Sequence, residues 1–135
     1  MIDPMYPGVS WFLWIVAVAF FLGSALPLLL VPLRWGRAFG WTLPAEDRFT
    51  VYLGRCLGGV AVVLSLATFR AATAPASYLG TLEILLGAAT ALLAVHIHGA
   101  LSGGQPWQEN AEIAMYAGIV IPGLWLYAQL PGALL

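Results

Sequence analysis

Four long apolar stretches, separated by short polar or Gly/Pro-containing segments, dominate the pattern of the chain. They cover residues 11–31, 52–69, 78–100 and 113–130. A helix needs about 20 mainly apolar residues to cross a hydrocarbon core of about 30 Å, because each residue rises only about 1.5 Å. The pattern therefore predicts an all-α integral membrane protein, an antiparallel bundle of four transmembrane helices that forms a single domain over residues 1–135.

The composition agrees with this prediction and narrows the function classes. Hydrophobic residues make up 61% of the chain and charged residues only 8%, whereas a soluble domain carries about 25% charged residues. This excludes a soluble enzyme and a disordered tail. With a net charge of −1 and no lysine, the chain also lacks the basic surface that nucleic-acid binding requires.

The arginines predict the orientation in the membrane. The first span should be retained rather than cleaved as a signal peptide, since residues 1–10 contain Asp3 and no basic residue. Positive charge favours the cytoplasmic side. The loop 32–51 and the helix start that follows it carry four of the five arginines, namely Arg34, Arg37, Arg48 and Arg55. The opposite side has only Arg70. We therefore expect a bacterial inner-membrane protein with the first loop in the cytoplasm and both termini on the non-cytoplasmic side.

Small residues mark the expected helix contacts, because helices in lipid associate through close backbone approach. The second span opens with a GxxxG at Gly54 and Gly58. The third span has a stripe at steps of three, four or seven residues that also includes Glu83; its other members are Gly80, Gly87, Ala91, Ala94 and His98. This spacing predicts that the stripe faces protein. Pro27 and Pro122 should kink the first and fourth spans.

Glu83 is an ionisable residue within a span, which is by default a functional candidate with a partner to be named. Its nearest basic residue along the chain is Arg70, which lies across the short connection between the second and third spans. The sequence predicts an intramembrane ion pair of Glu83 with Arg70. A protonatable site that faces a partner subunit or a cavity is the alternative.

A second polar group is expected at the cytoplasmic end. Helical spacing puts Glu109, Glu112 and Tyr116 on one stripe, and antiparallel geometry brings Arg55 and His98 to the same depth. His96 should face elsewhere, since residues two apart on a helix diverge by about 200°. His98 and Glu112 are the catalytic candidates for proton transfer. Arg55, Glu109 and Tyr116 are the substrate-binding candidates.

A metal or cofactor is not expected from this pattern. His98, Glu109 and Glu112 offer three nitrogen or oxygen ligands, but their spacing matches no recognised metal motif, and haem ligation lacks a histidine on a second helix. Acid–base chemistry on a lipid or isoprenoid lodged between helices remains open. The sequence does not decide whether the chain is an enzyme.

The layout resembles several uncharacterised small four-helix bacterial membrane families. The resemblance lies in Trp35-Gly36, Gly40-Trp41, the segment Tyr-Leu-Gly-Arg that ends at Arg55, and a histidine that closes the third helix. It covers most of the chain and implies no activity. The small size and short loops favour an accessory or structural subunit of a larger membrane complex, with the bilayer and other subunits or further copies as partners. The alternative is a membrane-embedded enzyme or binding protein for a lipidic small molecule, with an Arg/His/Glu site at the cytoplasmic end.

Overall fold

The computed structural model describes residues 1–43 and 47–134, and these residues form helices and connections without strands. Residues 44–46 of the predicted first loop lie outside the described residues. Six α-helices follow one another along the chain: α1 (Pro7–Phe20), α2 (Leu26–Leu30), α3 (Pro32–Ala38), α4 (Arg48–Ala71), α5 (Leu79–Ser102) and α6 (Asn110–Tyr127). The predicted all-helical class is confirmed.

Three helices are long and apolar enough to cross a membrane. They are the 24-residue segments Pro7–Leu30, Arg48–Ala71 and Leu79–Ser102, each about 36 Å long at about 1.5 Å per residue. They coincide with the first three predicted spans. The fourth prediction, 113–130, falls on α6, which has 18 residues.

A turn of π-helix, Phe21–Ala25, joins α1 to α2 within the first long segment. Its position follows from Pro27. Proline has no amide N–H, so Pro27 cannot donate the hydrogen bond that the Gly23 carbonyl would accept in a regular α-helix. The indole Nε1 of Trp35 donates to that carbonyl instead, at 2.8 Å. The predicted proline effect thus takes the form of a π-turn whose freed carbonyl is satisfied by a side chain of α3.

The first long segment and α4 run in opposite directions and approach closely. At one end, the Ser10 hydroxyl donates to the Ala72 carbonyl. Towards the other end, a Cβ on Gly58 would lie 2.3 Å from the backbone nitrogen of Leu29. Gly58 therefore permits a backbone contact that no larger residue would allow, which confirms the predicted role of the GxxxG in helix packing.

α5 and α6 also run in opposite directions, and their contact is made by large side chains. The buried face of α5 consists of Leu82, Leu85, Leu86 and Ala89. These leucines pack with α1 and α6 around Leu13 and Tyr127. At Gly123 of α6, a Cβ would lie 2.5 Å from the Leu86 side chain, so this glycine admits the leucine.

The small-residue stripe of α5 faces outward and is not the face of α5 that packs in the core of this chain. Whether the stripe faces another protein stays a prediction. Every member is exposed: Gly80, Glu83, Gly87, Ala91, Ala94 and His98. Around Gly80 and Gly87 an added Cβ would meet no atom within 4 Å. The core is filled by the leucines on the opposite side of the helix, because they bury more apolar area per residue than glycine or alanine.

Candidate polar site at the junction of α5 and α6

The connection between α5 and α6 places the last turns of one helix beside the first turn of the other. α5 ends at Gly103, whose φ of 66° is a left-handed conformation that suits glycine. A short 3₁₀ turn, Trp107–Glu109, then leads into α6. The Gln105 side chain donates to Asn110 Oδ1 at 2.8 Å, which ties the connection to the start of α6.

This junction brings one imidazole and two carboxylates together. His96 Nε2 lies 3.3 Å from Glu109 Oε2 and 3.1 Å from Glu112 Oε2. Glu109 is only 6% exposed and Glu112 only 7%. Burial of carboxylates is costly unless they are paired, and the ion pairs described for both glutamates are those with His96.

His96 and Glu109 are each oriented by a further hydrogen bond. His96 Nδ1 lies 2.8 Å from the Leu92 carbonyl, and because a carbonyl only accepts, Nδ1 is the donor. The Trp41 indole donates to Glu109 Oε1 at 2.6 Å. The Tyr116 ring lies 5.2 Å from the His96 ring, measured between the ring centres. These contacts hold the His96 ring with Nε2 turned towards both carboxylates.

The cluster forms one wall of a cavity between the helices, with a volume of about 200 Å³. Polar groups from His96, Glu109, Glu112 and Tyr116 lie on one side. Aromatic and apolar side chains close the remainder: Phe20, Leu28, Trp35, Trp41, Leu57, Ala61 and Leu92, together with Ser24.

A larger groove of about 560 Å³ runs between the first long segment and α6. It is lined mainly by apolar residues, among them Phe12, Ile15, Met115 and Ile119. Phe20, Ser24 and Glu112 line both the groove and the cavity. Glu112 therefore lies between the cavity and the apolar groove.

The structure brings together Glu109, Glu112 and Tyr116 as the helical spacing predicts, but with the other histidine. His96, not His98, faces the two glutamates. His98 is exposed on the outward stripe of α5. The expectation that His98 turns inward is wrong, because the inward face of α5 is set by its leucines, and His96 continues that face.

Arg55 does not join the cluster. Its side chain is exposed on α4, where it lines a separate surface depression with Leu33, Val51, Tyr52 and Cys56. The described ion pairs include none between Arg55 and Glu112. The sequence left open whether Arg55 converges with the histidine and the glutamate, and the structure places Arg55 apart from them.

The predicted pair of Glu83 with Arg70 is also wrong. Glu83 Oε1 accepts from the Tyr127 hydroxyl at 2.6 Å, and Arg70 Nε donates to the Tyr78 hydroxyl at 2.8 Å. The Arg70 guanidinium also lies 5.2 Å from the centre of the Tyr78 ring, an attractive cation–π arrangement. Each of the two charged groups is therefore hydrogen-bonded to a tyrosine hydroxyl and not to the other charged group.

Sequence reasoning missed Trp41 as a member of the site. Trp41 follows α3, and no regular spacing relates it to Glu109, 68 residues later. The only available signal is that an indole buries a large apolar surface and needs one acceptor for its N–H. For His96 the signal was stronger, since helical spacing left only two alternatives for the inward histidine.

The arrangement is suited to handling protons or binding a polar group. An imidazole held against two carboxylates has the parts of a general acid–base, and the Trp41 indole orients one of those carboxylates, that of Glu109. Comparisons of the chain with known protein families, with curated proteins and with solved structures find no match.

Proposed function

We propose that the chain is a multi-pass protein of the bacterial inner membrane in which four helices form an antiparallel bundle. Three helices have the length and hydropathy to span. α6 packs against α5 and α1 and is the proposed fourth span. The excess of arginines at Arg34, Arg37, Arg48 and Arg55 over Arg70 supports a cytoplasmic position for the polar site, with both termini opposite.

Within this bundle we propose that the protein binds, and chemically transforms, a lipidic small molecule. The observation that carries the proposal is the shared wall of cavity and groove at Phe20, Ser24 and Glu112. A molecule that occupies both spaces has its polar end beside His96 and its apolar tail between α1 and α6.

The volumes of the cavity and the groove support a ligand with a compact polar end and a long apolar tail. Pockets for small molecules usually measure about 300–1,000 Å³. The cavity of about 200 Å³ suits only a compact polar group, whereas the groove of about 560 Å³ has room for an acyl or isoprenoid chain. The apolar lining of the groove by Phe12, Ile15 and Met115 matches such a chain.

The site chemistry assigns roles to the residues. His96 exchanges a proton with the polar end of the ligand, as a general acid–base. Glu112, at the shared wall, contacts the ligand directly and holds the His96 ring through a contact of 3.1 Å to Nε2. Glu109 is a positioning residue because it is held by Trp41 and in turn holds the imidazole.

The test is extraction of lipids from purified protein, followed by mass spectrometry. Gly118 lines the groove and an added Cβ there would meet no atom within 4 Å, so Gly118→Leu fills the groove without disturbing the fold. The matched control is Gly59→Leu, on α4, where the space is equally open. We expect a lipid species enriched over bulk membrane lipid in the wild type and the control but lost in Gly118→Leu. Equal lipid profiles in all three proteins would overturn the proposal.

A second candidate function is that of an accessory subunit, or a homo-oligomer, in a larger membrane complex. The observation that favours it is the outward stripe of α5, which combines glycines with Glu83 and His98. Small residues on an exposed helix face permit close contact with another helix in lipid. Gly87→Leu should then release a co-purifying partner or dissociate the oligomer in mild detergent, while Gly118→Leu should not. A monomer with no partner in both the wild type and Gly87→Leu would contradict this role.

A further inference from the structure

His96, Glu109 and Glu112 carry an inference that goes beyond the binding of a lipidic ligand and does not rest on it. It is an alternative to the acid–base role of His96, because Nε2 cannot hold a cation and exchange a proton at the same time. The ligand atoms are one ring nitrogen of His96 and one carboxylate oxygen from each of Glu109 and Glu112. These three atoms all lie within 4.8 Å of one another. The residues come from the end of α5 and the start of α6, so the ligand set is assembled by the fold and not by a local sequence motif.

The hydrogen bonding of His96 explains why a cation fits here. Its Nδ1 donates to the Leu92 carbonyl at 2.8 Å, so a neutral imidazole has its lone pair on Nε2. That lone pair faces the oxygens of Glu109 and Glu112 at 3.3 and 3.1 Å. Three electron-rich atoms at these separations repel one another unless a positive charge lies between them.

The charges of the three side chains also favour a bound divalent cation. Glu109 and Glu112 are more than nine-tenths buried, and their described ion pairs involve only His96. Protonation of Nε2 supplies a single positive charge for two carboxylates. A divalent cation supplies two.

The distances suit a small transition-metal ion. Ligand atoms about 2.0–2.1 Å from a tetrahedral Zn²⁺ are separated from one another by about 3.4 Å. The two nitrogen–oxygen separations, 3.1 and 3.3 Å, lie close to this value. The remaining oxygen–oxygen separation is within 4.8 Å.

The surrounding hydrogen bonds have the form that metal sites use to orient their ligands. A ligating histidine commonly donates its second N–H to a backbone carbonyl, and ligating carboxylates accept further hydrogen bonds. The Leu92 carbonyl and the Trp41 indole fill these two positions. A site with three protein ligands leaves a fourth coordination position for water or substrate, which here opens on the cavity of about 200 Å³.

We propose that His96, Glu109 and Glu112 bind a divalent transition-metal ion, with Zn²⁺ the best match to one imidazole and two carboxylates. The spacing of these residues matches no recognised metal motif, and the ligand set considered from the sequence contained His98 in place of His96. Only the fold places them around one point.

The test uses the full chain in detergent and Zn²⁺ alone as the probe. After treatment with a chelator, the protein is incubated with Zn²⁺, passed through a desalting column and assayed by elemental analysis. We expect about one Zn²⁺ per chain in the wild type, in accord with a single three-residue site. His96→Gln and Glu112→Gln should retain none at the same Zn²⁺ concentration.

Two control variants outside the cluster and one variant next to a ligand residue complete the test. His98→Gln and Glu83→Gln alter exposed groups outside the cluster and should bind as the wild type does. Trp41→Phe keeps an aromatic ring in the cavity wall but removes the hydrogen bond to Glu109, so affinity should fall by about 10- to 100-fold even if the ligand variants fold poorly. Absence of Zn²⁺ from folded wild-type protein, or full retention by folded His96→Gln, would overturn the proposal. Since no lipid is measured, either failure leaves the lipid-binding proposal to its own test.

Discussion

His96 and Glu112 lie 3.1 Å apart across the junction of α5 and α6, with the imidazole nitrogen turned to a carboxylate that is almost fully buried. Sixteen positions separate these residues in the sequence, and the intervening turn reverses the chain. The contact joins the ends of two helices and also forms the polar wall of the cavity. Stability and the proposed function therefore depend on the same few atoms.

Loss of the His96 side chain should destabilise the protein strongly. His96→Ala leaves two buried carboxylates without their ion-pair partner, and removal of one member of a buried pair costs about 3–5 kcal/mol. We expect a fall of about 3 kcal/mol in the free energy of unfolding, measured by titration with a denaturing detergent. His98→Ala is the matched control, with a change below about 0.5 kcal/mol at an exposed position. Equal costs for the two variants would contradict the assignment of His96 as the inward histidine.

Substitution by alanine at the adjacent residues Gly58 and Gly59 should change the stability of the protein in opposite directions. Gly58→Ala would put a Cβ 2.3 Å from the Leu29 backbone nitrogen, and overpacking of this kind costs about 1–3 kcal/mol. Gly59→Ala meets no atom within 4 Å, so the higher helix propensity of alanine should stabilise by up to about 1 kcal/mol. Thermal unfolding of both variants in one detergent measures the difference. If Gly58→Ala were as stable as Gly59→Ala, the close approach of α2 and α4 would be wrong.

Trp35 should stabilise the π-turn through its indole N–H. Trp35→Phe keeps an aromatic ring but leaves the Gly23 carbonyl without the donor described at 2.8 Å. A hydrogen bond of this type contributes about 1 kcal/mol, so the unfolding free energy should fall by that amount. Trp107→Phe changes a tryptophan that is 76% exposed and serves as the control. A loss for Trp107→Phe equal to that for Trp35→Phe would show that the effect is not specific to the turn.

Asp47 caps α4 by accepting hydrogen bonds from the amides of Phe49 and Thr50. The Thr50 hydroxyl, and then its amide, hold the pKa of the Asp47 carboxyl below its ordinary value of 3.8. Because the pKa is lower in the folded state, the cap stabilises fully above about pH 4 and loses its effect as the pH falls through the folded-state pKa. The wild type should therefore unfold at a higher temperature than Asp47→Ala at pH 7, with the gap narrowing below pH 4. A gap that is independent of pH would contradict a charge-based cap.

The helices could be predicted from the sequence because long apolar runs have few alternatives in lipid. The acidic stripe of α6 was also predictable, since Glu109, Glu112 and Tyr116 share a helix face by spacing alone. The choice between His96 and His98 was not, because spacing says that they diverge but not which one faces inward. That depends on whether leucines or small residues fill the core beside α5.

A related physical cause explains why Arg70 and Glu83 do not form the predicted ion pair. Arg70 and Glu83 are the closest opposite charges along the chain, yet each finds a tyrosine hydroxyl, at Tyr78 and Tyr127 respectively. Hydrogen bonds to a charged group are strong and need no second charge to be brought out of water. Sequence distance predicts which charges can meet, but not which neutral donors and acceptors compete for them.

The central claim is that a lipidic molecule lies in the groove between α1 and α6 with its polar end at Glu112. Photolabelling with a lipid that carries a diazirine in its acyl chain tests this claim most directly, with the labelled residues identified by peptide mass spectrometry. We predict labels concentrated on Ile15, Met115 and Gly118 in the wild type, and a marked loss of these labels in Glu112→Gln but not in Glu83→Gln. Labels spread evenly over the exposed faces of α4 and α5, or unchanged by Glu112→Gln, would contradict the account.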